Sequence, residues 1–235
     1  MSALNDPEVV AREYASEQGL EGRRAAYRFS EGPDPREMAF EAIGEAAPRR
    51  VLEVGPGPGE LSERIHQELG AHVVAVDVSQ RMVELTRARG VEAMVGDVQS
   101  LPFADASFDC AVAAWMLYHV PDVERGISEL ARILRPGGRL VAVTNGADHW
   151  QGLTELVGFE RPDSCFSAEN GEQLLRQQFA RVERRDATGW VVFPDRATAQ
   201  AFVDATILLQ GELPAFEGPL RVRRSPYVFV AEKAA

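Results

Sequence analysis

The stretch Val51-Leu52-Glu53-Val54-Gly55-Pro56-Gly57-Pro58-Gly59-Glu60-Leu61 constrains this chain more than any other. An apolar run ends abruptly in three glycines at alternate positions. Val51 to Val54 reads as a short buried strand carrying one acid. Glycines let the backbone turn sharply and come close to a ligand with no Cβ in the way. Beyond Gly59, Leu61, Ile65 and Leu69 recur on one helical face, and Gly70 closes the helix. A strand, a glycine turn and a helix N-terminus begin a doubly wound α/β sheet that binds a nucleotide-like ligand, with ligands gathering at the C-terminal ends of the strands.

The dinucleotide pattern Gly-x-Gly-x-x-Gly is met by Gly55 and Gly57, but its third position falls on Glu60, and Gly59 comes one residue early. Glu53 and Glu60 are poor neighbours for a pyrophosphate. Carboxylates suit a ligand with an amine or a sulfonium. Glu53-x-Gly55-x-Gly57-x-Gly59 resembles the first motif of the class I S-adenosylmethionine-dependent methyltransferases, whose loop holds the methionine part of the cofactor.

Later motifs arrive in order. His72 to Asp77 reads as the second strand, ending in an acid where such folds bond ribose hydroxyls. Asp77, with Val78 beside it, therefore joins the expected cofactor set. Ser79 serves as the cap of a helix from Gln80 to Arg89, and Met82 in that helix either touches the adenine or packs in the core. Val91 to Val95 is a third strand, followed by Gly96-Asp97-Val98. This is similar to the family's second acidic motif, which implies that Asp97 pairs with the adenine amino group while Val98 and Leu101 wall the ring.

Ser107 to Trp115 reads as the fourth strand, and Trp115-Met116-Leu117-Tyr118-His119 leaves its C-terminal end. Trp115 is expected to wall the cofactor and Tyr118 to position the substrate. Asp122 caps a helix with Val123, Ile127, Leu130, Ala131 and Leu134 on one stripe. Arg132 to Leu140 resembles the family's Leu-x-Pro-Gly-Gly turn into a fifth strand, Leu140 to Thr144. The resemblance is specific over Val51 to Thr144 and rests elsewhere on element order.

Methyl transfer from a sulfonium is an in-line displacement in which the protein aligns the reactants and excludes water. A hydroxyl or ammonium acceptor must also lose a proton. His119 is the best candidate base, since histidine titrates near neutrality. It also fits a residue that packs against the cofactor or caps the next helix. His149, after the fifth strand, is a second candidate on the substrate side. No Asn- or Asp-Pro-Pro-aromatic motif and no Pro-Cys nucleophile follow the fourth strand, which argues against methylation of DNA bases. The paired acidic ligands of metal-dependent catechol methylation are absent from the strand ends, so no metal is expected.

The 235 residues suffice for one domain with a full core. We expect a helical arm over 1–48, a cofactor-binding core over 49–145, and a substrate-side cap with the final strands over 146–235. Asp6-Pro7-Glu8 and Asp34-Pro35-Arg36-Glu37 both read as helix starts, the second with capping-box spacing. In similar methyltransferases such an arm covers the cofactor and the substrate mouth. Tyr14 and Tyr27 lie there, either facing substrate or packing the arm. Asn145 to Cys165 reads as irregular. Ala168 to Phe179 reads as a helix, Val182 to Phe193 as a strand region, and Asp195 as the start of another helix. Pro214 to Pro226 reads as loop and Tyr227 to Ala231 as a last strand. Arg221, Arg223 and Arg224 read as a solvated turn.

The resemblance implies a Rossmann-like, mostly parallel seven-stranded sheet with a small helical cap, and S-adenosylmethionine as cofactor. A formal net charge of −11 repels phosphate backbones, so nucleic acid is a poor substrate. No apolar stretch is long enough to span a membrane and no secretory signal opens the chain, so the expectation is a cytoplasmic enzyme with no membrane partner. Cys110 and Cys165 show no ligand or redox spacing. The expected activity is methylation of an O, N or C atom of a small molecule, as in the branch that includes quinone-biosynthesis and natural-product enzymes. RNA nucleoside methylation, non-catalytic binding of S-adenosylmethionine and a nicotinamide oxidoreductase are the competing readings. The oligomeric state is not legible.

Overall fold

A computed structural model describes residues 5, 6, 8, 27–160, 162–206, 209 and 211–235. Tyr14 and most of the expected first helix lie outside the described residues, although Asp6 does accept the N–H of Glu8 at 2.9 Å as a cap would.

Strand β1 is Ser30–Glu31, and helix α1, Pro35–Gly44, follows with Asp34 as its cap. The central fold then alternates β2 (Arg50–Val54), α2 (Glu60–Leu69), β3 (His72–Asp77), α3 (Gln80–Ala88), β4 (Glu92–Val95) and β5 (Phe108–Ala114). A single 3-10 turn, Leu117–His119, leads to α4 (Val123–Ile133) and β6 (Leu134–Asn145). The remainder comprises α5 (Leu153–Leu156), α6 (Gly171–Arg176), β7 (Arg181–Asp186), β8 (Gly189–Phe193), α7 (Arg196–Asp204), β9 (Leu220–Arg224) and β10 (Pro226–Glu232).

Seven strands form one sheet in the order β4-β3-β2-β5-β6-β10-β7. The first five are mutually parallel, and β10 runs antiparallel to both β6 and β7. The seven-stranded, mostly parallel sheet is the expected one, including the antiparallel last strand. Strand alternation sends Leu52, Val54, Val74 and Val76 to the face covered by α4, while Val51, Val73 and Ala75 meet Ile43, Ile65 and Val83 on the other face. Four helices carry side-chain caps at the expected acids or serine: Asp34, Ser79, Asp122 and Asp195 each accept a first-turn N–H. Each such cap contributes about 1 kcal/mol.

Several expectations need correction. Glu37 does not complete a capping box with Asp34. It forms a two-pronged pair with Arg64 of α2, at 2.6 and 2.8 Å, which ties α1 to α2. Strand β6 begins at Leu134, directly after α4, because Leu134 already pairs with Phe108 across an irregularity in β5. The stretch read as one strand region is two strands in different sheets. Between them Asp186 accepts the N–H of Thr188 at 2.7 Å, a tight turn that carries the chain out of the main sheet.

The cap is not purely helical. It is a three-stranded antiparallel sheet, β1-β8-β9, packed with α5 and α7 around Trp150, Leu153, Val191, Phe193, Phe202 and Val222. Five residues of the expected loop are therefore strand β9, and the arginine cluster is not a solvated turn. Arg224 is 1% exposed and donates to the carbonyls of Ala187 (3.1 Å), Glu31 (3.2 Å) and Pro33 (2.7 Å). Its charge faces inward where an apolar residue would have signalled a strand. No helix among the described residues is long and apolar enough to cross a membrane.

Candidate active site

The C-terminal ends of the parallel strands and the cap enclose a cleft of about 1270 Å³. Its floor is the glycine loop. Gly55, Gly57 and Gly59 all have positive φ, at 62°, 56° and 82°. They do different work. A Cβ at Gly55 would lie 2.7 Å from Met116, and one at Gly59 would lie 2.9 Å from the Thr86 backbone. At Gly57 a Cβ would meet nothing within 4 Å. Gly55 and Gly57 line the cleft; Gly59 does not, and serves loop-to-helix packing instead. The loop is tethered from α3 and its C-cap, where Thr86 donates to the Gly57 carbonyl (3.1 Å) and Arg89 to that of Pro58 (2.7 Å). Neither tether is legible in the sequence, because a threonine or an arginine at such a helix carries no distinctive pattern.

Glu53 shares the face of Val51, so it points toward α2, and Ser62 of that helix donates a short hydrogen bond to its carboxylate. The carboxyl is 2% exposed, and burial pushes its pKa up to about 7; the Ser62 bond opposes this and the Asp77 charge adds to it. Asp77 ends β3 and accepts the Ser79 N–H at 2.8 Å. Burial raises its pKa, opposed by N–H bonds from Ser79, Gly57 and Val78. Asp77 thus links the glycine loop to the end of the next strand. Val78 is 64% exposed, an apolar side chain standing open at the cleft. Asp97 is exposed at the turn after β4, where it accepts the Gln99 N–H at 2.8 Å and the Gln99 side-chain amide at 2.9 Å. Val98 is buried along the same wall. Met82 is also buried but stands outside the cleft walls, so its place is the core and not the ring of a ligand.

The opposite wall follows β5. Trp115 has a φ of 55° and donates its ring N–H to Asn145 at 3.3 Å. Tyr118 and His119 sit on the 3-10 turn with their rings 4.4 Å apart, and both line the cleft. From the cap, Tyr27 sets its ring edge-on to Trp150, centroids 6.1 Å apart. His149 is 3% exposed, and its Nδ1 accepts the Ser225 N–H at 2.9 Å. A backbone donor aimed at Nδ1 places the proton of the neutral ring on Nε2. His149 therefore suits donation of a hydrogen bond better than removal of a proton.

Residues 52–142 match the family model described as "Methyltransferase domain". An uncharacterised methyltransferase of Mycobacterium tuberculosis is 35% identical over 173 residues, 71% of this chain and 66% of its own length. A demethylmenaquinone methyltransferase of Beutenbergia cavernae is 38% identical over 126 residues, 53% of this chain and 52% of its own. The matched stretch thus spans about half to two-thirds of these relatives. Among solved structures, a Thermotoga maritima protein described as an S-adenosylmethionine-dependent methyltransferase, possibly acting on histamine, shares the fold. Its TM-score is 0.62 at 21% identity, with 95% of this chain and 99% of that one covered. The chain belongs to the class I S-adenosylmethionine-dependent methyltransferases.

The cleft of this methyltransferase suits the family's cofactor on chemical grounds. Its glycine-loop side carries the carboxylates Glu53, Asp77 and Asp97 and the open apolar face of Val78, which together offer acceptors to amine and hydroxyl donors and a wall to a flat ring. Gly57 leaves open space where any other residue would put a side chain.

Proposed function

We propose that this methyltransferase binds S-adenosylmethionine along the glycine loop and transfers its methyl group to an O, N or C atom of a small molecule held beneath the cap. Glu53, Gly55, Gly57, Asp77, Val78, Asp97, Val98 and Trp115 would hold the cofactor. Its bound sulfonium supplies an electrophilic methyl. Tyr27, Tyr118 and His149 face the acceptor side, and His119 is the candidate base for an acceptor that must lose a proton.

The observation that carries this reading is the size and division of the cleft. About 1270 Å³ exceeds what a single drug-sized ligand needs, roughly 300–1,000 Å³, so a second molecule fits beside the cofactor. Glu53, Asp77 and Asp97 line the glycine-loop side, and Tyr27, Tyr118 and Trp150 stand across from them, with Asp163 and Glu169 also bordering the cleft. The demethylmenaquinone methyltransferase relative supports a small planar acceptor, and the net charge of −11 supports something other than nucleic acid. The same reading takes the chain as one methyltransferase domain working in the cytoplasm.

Calorimetric titration with S-adenosylmethionine, its demethylated product and NAD tests the reading. The first two should bind and NAD should not. Asp77→Ala should weaken their binding by tenfold or more, since a carboxylate that bonds two hydroxyls is worth roughly 1.5–3 kcal/mol. Preference for NAD, or undiminished binding in the variant, overturns it.

A further inference from the structure

We propose that the methyl acceptor carries an anionic group beside a flat apolar body, and that Arg36 receives the anion. The inference rests on the methyltransferase reading of the cleft and deepens it to a class of acceptor.

Among the described residues, two arginines line the cleft, Arg36 and Arg64. Arg64 is already paired with carboxylates, with two bonds to Glu37 and one to Glu68 at 3.0 Å. Arg36 meets no carboxylate among the described residues. Its backbone is held by the Asp34 cap at 2.8 Å, and its guanidinium lies 5.3 Å from the centre of the Tyr27 ring. Tyr27 in turn contacts Trp150 of the cap core. Arg36 is thereby tied to the aromatic side of the cleft. A planar guanidinium presents a fork of donors that matches carboxylate or phosphate oxygens, and stacking on a ring orients that fork before the ligand arrives.

A cationic acceptor is the competing chemistry, because Asp163 and Glu169 also border the cleft. Glu169 already accepts the Ala147 N–H at 2.9 Å. A cation approaching Tyr27 would meet the Arg36 charge on that ring. The open fork therefore favours an anion.

Calorimetry on the intact chain tests this in two steps. S-adenosylhomocysteine is titrated first into the wild type, Arg36→Gln and Arg36→Lys. The saturated proteins are then titrated with para-hydroxybenzoate, its neutral amide, and a para-hydroxybenzyl trimethylammonium ion. We expect wild type to bind the acid at least about tenfold more tightly than the amide. The preference should vanish in Arg36→Gln, persist in part in Arg36→Lys, and leave S-adenosylhomocysteine affinity within twofold throughout. Equal affinity for acid and amide, absence of acid binding at millimolar concentration, or preference for the ammonium ion overturns the proposal. So does a weakened first titration in Arg36→Gln, which would assign Arg36 to the cofactor's own carboxylate. Failure of S-adenosylhomocysteine to bind the wild type sinks the underlying reading instead, and it is seen before any acceptor probe is added.

Discussion

The two walls of the cleft are built by different physics. The glycine-loop wall is made of neighbours in sequence. One strand end, one turn and one helix start place Glu53, Gly55, Gly57 and Ser62 within ten residues. Its parts are set by backbone conformation and strand alternation, with side-chain tethers from Thr86 and Arg89 holding the turn. The cap wall is assembled from far-apart segments. The Arg224 guanidinium bonds Glu31 and Pro33 across more than 190 positions and Ala187 across 37. Trp150, Tyr27 and Phe202 meet as side chains only after three segments have packed. One wall is a backbone device and the other a tertiary device. This suits an enzyme whose cofactor is constant and whose acceptor is particular.

The largest expected effect breaks the cap alone. Arg224→Ala leaves three backbone carbonyls without their donor inside the cap, and at roughly 1–2 kcal/mol for each unsatisfied group it should cost about 3 kcal/mol or more. Chemical denaturation measures this. If the walls are independent, affinity for S-adenosylhomocysteine should survive in the folded fraction while acceptor binding is lost. Equal loss of both would show that the cap and the glycine loop act as one unit. Gly189→Ala should resemble it, since a Cβ there would lie 2.2 Å from the Glu31 carbonyl oxygen.

The difference between the walls also explains what could be read from the chain. The strand–turn–helix order, the seven-stranded sheet and the acids at three strand ends are local patterns, so alternation and capping disclose them. The tethers Thr86 and Arg89, the Ser62 partner of Glu53 and the whole cap sheet depend on contacts that no local pattern encodes. Strand β9 was hidden because its inward residue at position 224 is an arginine. The Met82 alternatives were decided by packing, since an apolar residue one turn into a helix fits either place until its neighbours are known.

A second prediction acts on the glycine-loop wall. The Glu53 carboxyl titrates near 7 in the folded chain and near 4.5 when unfolded. Between those values the folded state holds the proton and the unfolded state does not. Stability contributed by the protonated form is complete below about pH 4.5 and is lost as pH rises through 7. The span is of order 3 kcal/mol, at 1.36 kcal/mol per pKa unit. Glu53→Gln should flatten this part of the stability–pH curve, as followed by thermal melts from pH 5 to 8. An unchanged slope would show that Glu53 is ionised throughout. If an ammonium or sulfonium lies near the carboxylate, cofactor binding should release a proton near pH 7. Titration in two buffers of different ionisation enthalpy detects that release.

The smallest effect on stability separates glycines that share one sign of φ. Gly57→Ala adds a Cβ with no atom within 4 Å, so its cost is the left-handed conformation alone, about 1–2 kcal/mol. Gly59→Ala adds the same conformational cost and drives a Cβ against the Thr86 backbone, so it should destabilise by more. Cofactor binding should reverse the order. Gly57 borders the cleft and Gly59 does not, so Gly57→Ala should weaken S-adenosylhomocysteine binding more while melting higher. A pair of melts and a pair of titrations decide it. If both variants lose stability and affinity in the same order, the loop acts as a single rigid unit. If the orders cross, then within one motif Gly57 serves the ligand while Gly59 serves the fold.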